Sequence, residues 1–133
     1  MQWEFSFLYA LQKLHNPILD KIMIFITGCT GLVGSHLVAT LICKQQLESE
    51  SISLSVNKSI SSESESIFRV KLLCRKNSDL SLLNDVLRRY GFNEMPDNIE
   101  FVYGDVLDYD IIESAMKDVD EVYHCAAVVS FDP

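Results

Sequence analysis

Three glycines at a spacing of three, Gly28, Gly31 and Gly34, stand between a β-branched apolar run and a helix-like apolar pattern, and they constrain this chain more than any other feature. The enclosing stretch Lys21–Lys44, KIMIFITGCTGLVGSHLVATLICK, carries no acidic or basic charge between its terminal lysines. Ile22–Thr27 is apolar without polar alternation, as expected of a parallel strand buried on both faces. From Leu32 to about Gln46, Val33, Leu37 and Leu41 recur at helical spacing. In such a strand–turn–helix, Gly28 permits the tight turn, Gly31 lets the backbone approach a pyrophosphate, and Gly34 lets the helix pack closely on the strand. Thr30 sits inside the turn, and the amides of Leu32 and Val33 at the helix start face the phosphates, aided by the helix dipole. A hydropathy window also flags Ile22–Cys43 as long enough to span a bilayer. The three glycines, with Thr27, Thr30, Ser35 and His36 among them, fit strand, turn and helix better.

The remaining chain repeats the alternation. Ile67–Cys74 reads as a second strand, Leu80–Tyr90 as a helix that Ser78 or Asp79 can cap and Gly91 can end. Asn98–Tyr103 reads as a third strand, Asp110–Met116 as a helix capped by Asp108, and Glu121–Cys125, running into Ala126-Ala127, as a fourth strand and its exit. The order β-α-β-α-β-α-β demands parallel pairing, so the expected class is α/β, the N-terminal half of a doubly wound parallel (Rossmann) sheet. At 133 residues there is room for one domain, spanning 21–133. Residues 1–20 precede it as a short amphipathic helix with Phe7, Leu8, Leu11, Leu14 and Ile18 on one side, suited to packing on a neighbour, a partner or a membrane surface. Residues 47–66 hold nine serines and four glutamates in twenty positions and read as a surface insertion, with Ile52, Leu54 and Val56 as a possible short edge strand.

The end of the second strand bears on the nucleotide. An acid there bonds a ribose 2′-hydroxyl, whereas a basic side chain accepts a 2′-phosphate. Here the strand ends in Arg75-Lys76 with no acid before Asp79, which favours NADP, with NAD as the alternative. The interval from the glycine turn is ordinarily about twenty residues; here it exceeds forty, and the serine-rich insertion accounts for the excess.

Four ordered motifs, TGCTGLVG at Thr27–Gly34, RKNSDLSLL at Arg75–Leu83, GDVLD at Gly104–Asp108 and VYHCAAVVSFDP at Val122–Pro133, resemble extended short-chain dehydrogenases. The likeness points to NAD-dependent epimerase/dehydratase and dihydroflavonol-reductase-like proteins and covers residues 21–133. It implies that Asp105 contacts the adenine amino group with Val106 beside the ring, and that Ala126 and Ala127 line the ribose and nicotinamide side. It also implies hydride transfer at a hydroxyl or keto carbon of a sugar-, steroid- or flavonoid-like substrate. The family's acid–base pair, Tyr-x-x-x-Lys on a later strand, is missing. Tyr9 and Lys13 have that spacing but precede the first strand, so no catalytic residue is assigned, and substrate is expected only in a full-length enzyme. Residues 1–27 separately resemble the N-terminus of the membrane-bound phosphatidic acid phosphatase family without its catalytic motifs, which opens the reading of a membrane-associated fusion joined near Ile26-Thr27-Gly28.

Composition narrows the classes. Nineteen acidic against eleven basic residues, a formal charge of −8, argue against a nucleic-acid partner. Cys29, Cys43, Cys74 and Cys125 show no CxxC pairing and read as reduced thiols of a cytoplasmic protein with no metal site. His124 reads as a strand-end histidine and His36 as a helix residue beside the sheet. The expected function is the NAD(P)-binding portion of an oxidoreductase or epimerase, with a non-catalytic nucleotide-binding or interaction module as the alternative.

Overall fold

The computed structural model describes residues 22–55 and 68–127. Four strands, β1 (Ile22–Thr27), β2 (Phe68–Cys74), β3 (Ile99–Tyr103) and β4 (Glu121–His124), alternate with three helices, α1 (Leu32–Ser55), α2 (Ser81–Arg89) and α3 (Tyr109–Met116). The strands form one parallel sheet in the order β3-β2-β1-β4, the Rossmann-like α/β arrangement expected from the sequence.

The apolar run of β1 is continuous because both sheet faces are covered there. Ile24 and Ile26 of β1, with Val70, Leu72 and Cys74 of β2, face a core completed by Val38, Ala39 and Ile42 of α1 and by Leu83, Val86 and Leu87 of α2. The alternate residues Phe25 and Leu73 point the other way, against Ala115 of α3 and the half-buried Ile111 and Ile112. A one-residue slip in register would exchange these two sets. Two charged residues interrupt β2: Lys71 is accommodated because its Nζ donates to the Ala115 carbonyl oxygen at 3.2 Å, near the end of α3, and Arg69 is exposed and pairs with Glu100 of β3 at 3.5 Å.

Several boundaries differ from expectation. The bilayer-length stretch Ile22–Cys43 is divided into strand, turn and helix, and no helix among the described residues is long and apolar enough to cross a membrane. The first helix does not stop at Gln46 but continues to Ser55, so Ile52 and Leu54 lie in helix rather than in an edge strand. Gln45, Gln46, Leu47 and Glu48 are good helix formers, and Glu48 pairs with Lys44 one turn earlier at 3.9 Å. Gln45, buried at this point, accepts from Asn98 Nδ2 at 2.8 Å, which ties the helix to the start of β3. Neither Ser78 nor Asp79 is the N-cap of α2. Leu80 holds that position without a side-chain bond, while Asp79 accepts from the Ser81 amide at 2.9 Å. The expected helix in residues 1–20 and the Tyr9–Lys13 spacing lie outside the described residues.

Candidate functional site

Parallel pairing brings the carboxyl ends of the strands to one edge, with Thr27 opposite Leu73 on one side and His124 on the other. Cys74 pairs with Tyr103 one strand further out. In open α/β sheets this edge is where ligands gather. A cavity of about 530 Å³ opens there, within the range of roughly 300–1,000 Å³ typical of small-molecule sites.

The floor of the cavity is the glycine turn. Gly28 has φ of 74°, a left-handed backbone that side chains rarely adopt, and a Cβ on it would lie 2.5 Å from the Ala126 nitrogen. Its carbonyl accepts from the Gly31 amide at 3.1 Å, and the Gly31 carbonyl accepts from Ser35 at 3.0 Å as α1 begins. Gly34 lies beneath, so close to the Gly28 carbonyl that no side chain fits between helix and turn. Gly31 is different. Its φ is not positive, and a Cβ there would meet nothing closer than the Gly28 oxygen at 3.5 Å, an ordinary contact. The fold does not require a glycine at this cavity-lining position.

The walls come from the other three strand ends. After β2, Arg75 lines the cavity with Leu73, Cys74 and Ser78, and the Ser78 amide closes a turn onto the Arg75 carbonyl at 2.9 Å. The nearby acid is turned away. Asp79 does not line the cavity, and the bonds from Ser81 hold its carboxyl below the usual range. After β3, Gly104, Asp105, Val106 and Leu107 line the opposite wall. One Asp105 carboxylate oxygen accepts from the Leu107 amide at 3.0 Å, which shapes the loop, and a Cβ on Gly104 would meet Ile111 of α3 at 2.7 Å.

The fourth wall is the exit of β4, Cys125-Ala126-Ala127. The last ladder bond runs from the Cys125 amide to the Thr27 carbonyl at 3.1 Å. Beyond it, the Ala126 amide donates to the Thr27 hydroxyl at 3.3 Å, and the same hydroxyl lies 2.6 Å from Nδ1 of His124. Thr27 is only 4% exposed.

Of the residues singled out in the sequence, Gly28, Thr30, Gly31, Arg75, Asp105, Val106, Ala126 and Ala127 converge on the cavity. Leu32, Val33, Gly34 and Lys76 do not line it. Leu32 and Val33 are exposed at the start of α1, Gly34 is buried in helix–strand packing, and Lys76 is exposed. Leu73, Cys74, Ser78, Gly104, Leu107 and Cys125 were missed. Most sit at the ends of strands that the sequence locates, and the rule that ligands gather at carboxyl edges is the signal that finds them.

Two of the cysteines at this edge, Cys29 and Cys74, are buried. All four cysteines are free. Cys29 is fully buried, with its Sγ 3.7 Å from the Leu73 carbonyl oxygen. Burial, reinforced by the neighbouring Cys74, pushes its thiol up to about 11, and burial also raises Cys74. Among the described residues no group of three or more His, Cys, Asp or Glu side chains could hold a metal ion.

The model of the NAD dependent epimerase/dehydratase family matches residues 24–133, from within β1 through the exit of β4. No curated protein and no solved structure gives a significant match.

Proposed function

Because the chain belongs to the NAD dependent epimerase/dehydratase family, we propose that the carboxyl-edge cavity holds its nicotinamide dinucleotide and that the cofactor is NADP rather than NAD. The observation that carries this reading is Gly31, an exposed glycine that the fold has no need of, set where a side chain would intrude on a ligand. In this reading the pyrophosphate lies over Gly28, Thr30 and Gly31. Leu32 and Val33 lie outside the cavity lining, and the positive end of the α1 dipole that they begin adds to the anion site.

Arg75 lines the cavity where a 2′-phosphate is accepted, with Lys76 adding charge beside it. Asp79, the acid that would instead bond a free 2′-hydroxyl, is occupied at the start of α2. Asp105 receives the adenine amino group, Val106 packs on the ring, and Ala126 and Ala127 form a side-chain-poor wall for ribose and nicotinamide. When bound, the dinucleotide supplies hydride exchange at a hydroxyl or keto carbon, for which we place a sugar-, steroid- or flavonoid-like compound as substrate. These residues bind and orient, and none of them is assigned the acid–base step. Four unpaired thiols support a cytoplasmic location.

Calorimetric titration of the 133-residue chain tests the proposal. NADPH is expected to bind saturably at or below millimolar concentration and more tightly than NADH. Arg75→Ala should remove most of that preference. Gly31→Val should weaken NADPH at least about tenfold while costing no more than about 1 kcal/mol of stability, the scale of an unfavourable residue at a helix start. Absence of saturable binding by the unmodified chain would falsify the reading.

A further inference from the structure

We propose that His124 is a positioning residue for the cofactor cavity, acting through the Thr27 hydroxyl. A hydroxyl has one proton and two lone pairs. The Ala126 amide takes a lone pair at 3.3 Å, so the proton needs an acceptor of its own. In the proposed arrangement Nδ1 of His124, 2.6 Å away, is that acceptor. That arrangement places the ring proton on Nε2 and holds the Thr27 hydroxyl in one orientation, with a lone pair aimed at Ala126.

The position of this bond gives it consequence. The ladder between β1 and β4 ends at the Cys125 amide, so the hydroxyl is the tie that continues onto the cavity wall. Ala126 in turn abuts Gly28, where a Cβ would sit 2.5 Å from its nitrogen. A shift of Ala126 therefore alters the cavity on the turn side and the β4 side together. His124 itself does not line the cavity and is exposed, so it contributes by holding the wall rather than by touching the ligand. The inference rests on the cofactor reading above.

Two measurements on the full chain test it. Nitrogen-15 NMR of the unmodified protein at neutral pH should show His124 as the Nε2–H tautomer; the Nδ1–H tautomer overturns the proposal, whatever the variants do. In NADPH titrations, His124→Leu should weaken binding about fivefold, the worth of one ordinary hydrogen bond. His124→Asn, which keeps an acceptor near the Nδ1 position, should stay within about twofold of the unmodified chain. The double variant Thr27→Val/His124→Leu should bind no more weakly than Thr27→Val alone, since both changes break one network. Unchanged binding in His124→Leu, or equal loss in His124→Asn, overturns this proposal alone. Failure of the unmodified chain to bind NADPH removes the cofactor reading and this inference with it.

Discussion

At the scale of single residues, the three glycines do three separable jobs. Gly28 is demanded by its backbone angle and by the approach of Ala126, and Gly34 by helix–turn contact. Both demands were legible in the spacing of the sequence, because each is a backbone requirement that only glycine meets. Gly31 is not demanded by the fold, since a Cβ there would meet only an ordinary contact, and in the proposed reading it serves the ligand, the role its spacing suggests. Cys29 belongs to the same turn. It reads from the sequence as a reduced thiol, and the structure adds how completely it is buried, which pushes its pKa up. Its raised pKa has a stability consequence of definite sign. Between the ordinary thiol value of 9.0 and about 11, the unfolded chain has lost this proton while the folded chain retains it. Stability is therefore full below about pH 9 and falls as pH rises toward 11, by about 2 kcal/mol from this group. Urea denaturation at pH 8 and pH 10.5 should show the loss, and Cys29→Ala should make the curve shallower over that interval.

At the scale of elements, type and order were readable while ends were not. β1 announces itself by uninterrupted apolar residues, β2 by apolar residues broken only by Arg69 and Lys71, and α2 by the spacing of Leu83, Val86 and Leu87. The length of α1 was not readable, because it runs past Gln46 to Ser55 without an apolar stripe to announce it, while the bond that ties it to β3, Gln45 to Asn98, joins residues 53 positions apart. Local composition there, rich in serine, argues for a loop. The close of α2 follows local rules more faithfully. Arg88 and Arg89 occupy the last turn, where positive charge suits the helix dipole. Gly91 then turns the chain at φ of 96°, and its amide donates to the Arg88 carbonyl at 3.0 Å. A Cβ at Gly91 would meet nothing within 4 Å, so substitution costs backbone strain alone. Gly91→Ala is expected to lower stability by about 1 kcal/mol, and Gly91→Asn by less, since asparagine tolerates this conformation better. Thermal melting of the two variants beside the unmodified chain makes the comparison.

At the scale of the molecule, the cavity belongs to no single element. Its floor follows β1 and its walls follow β2, β3 and β4, so it exists only when all four strands are paired. A ligand of this site binds the folded chain and not the unfolded one. Free NADPH at one hundred times its dissociation constant should then stabilise the protein by about 2.7 kcal/mol. For a chain of this length that raises the melting midpoint on the order of 10 °C. Circular dichroism should show the shift in the unmodified chain and not in Gly31→Val, whose ligand-free melting should change little. The sheet order and the edge where the cavity opens follow from the strand–helix alternation alone. The distribution of wall residues does not, because Cys74, Ser78 and Cys125 line the cavity by location rather than by chemical type. The contact between Thr27 and His124 joins residues 97 positions apart. Such pairings carry a large loop-closure cost and form slowly. During synthesis the glycine turn leaves the ribosome long before its fourth wall exists, so the cofactor cannot template the early chain and can only capture a sheet that has already closed.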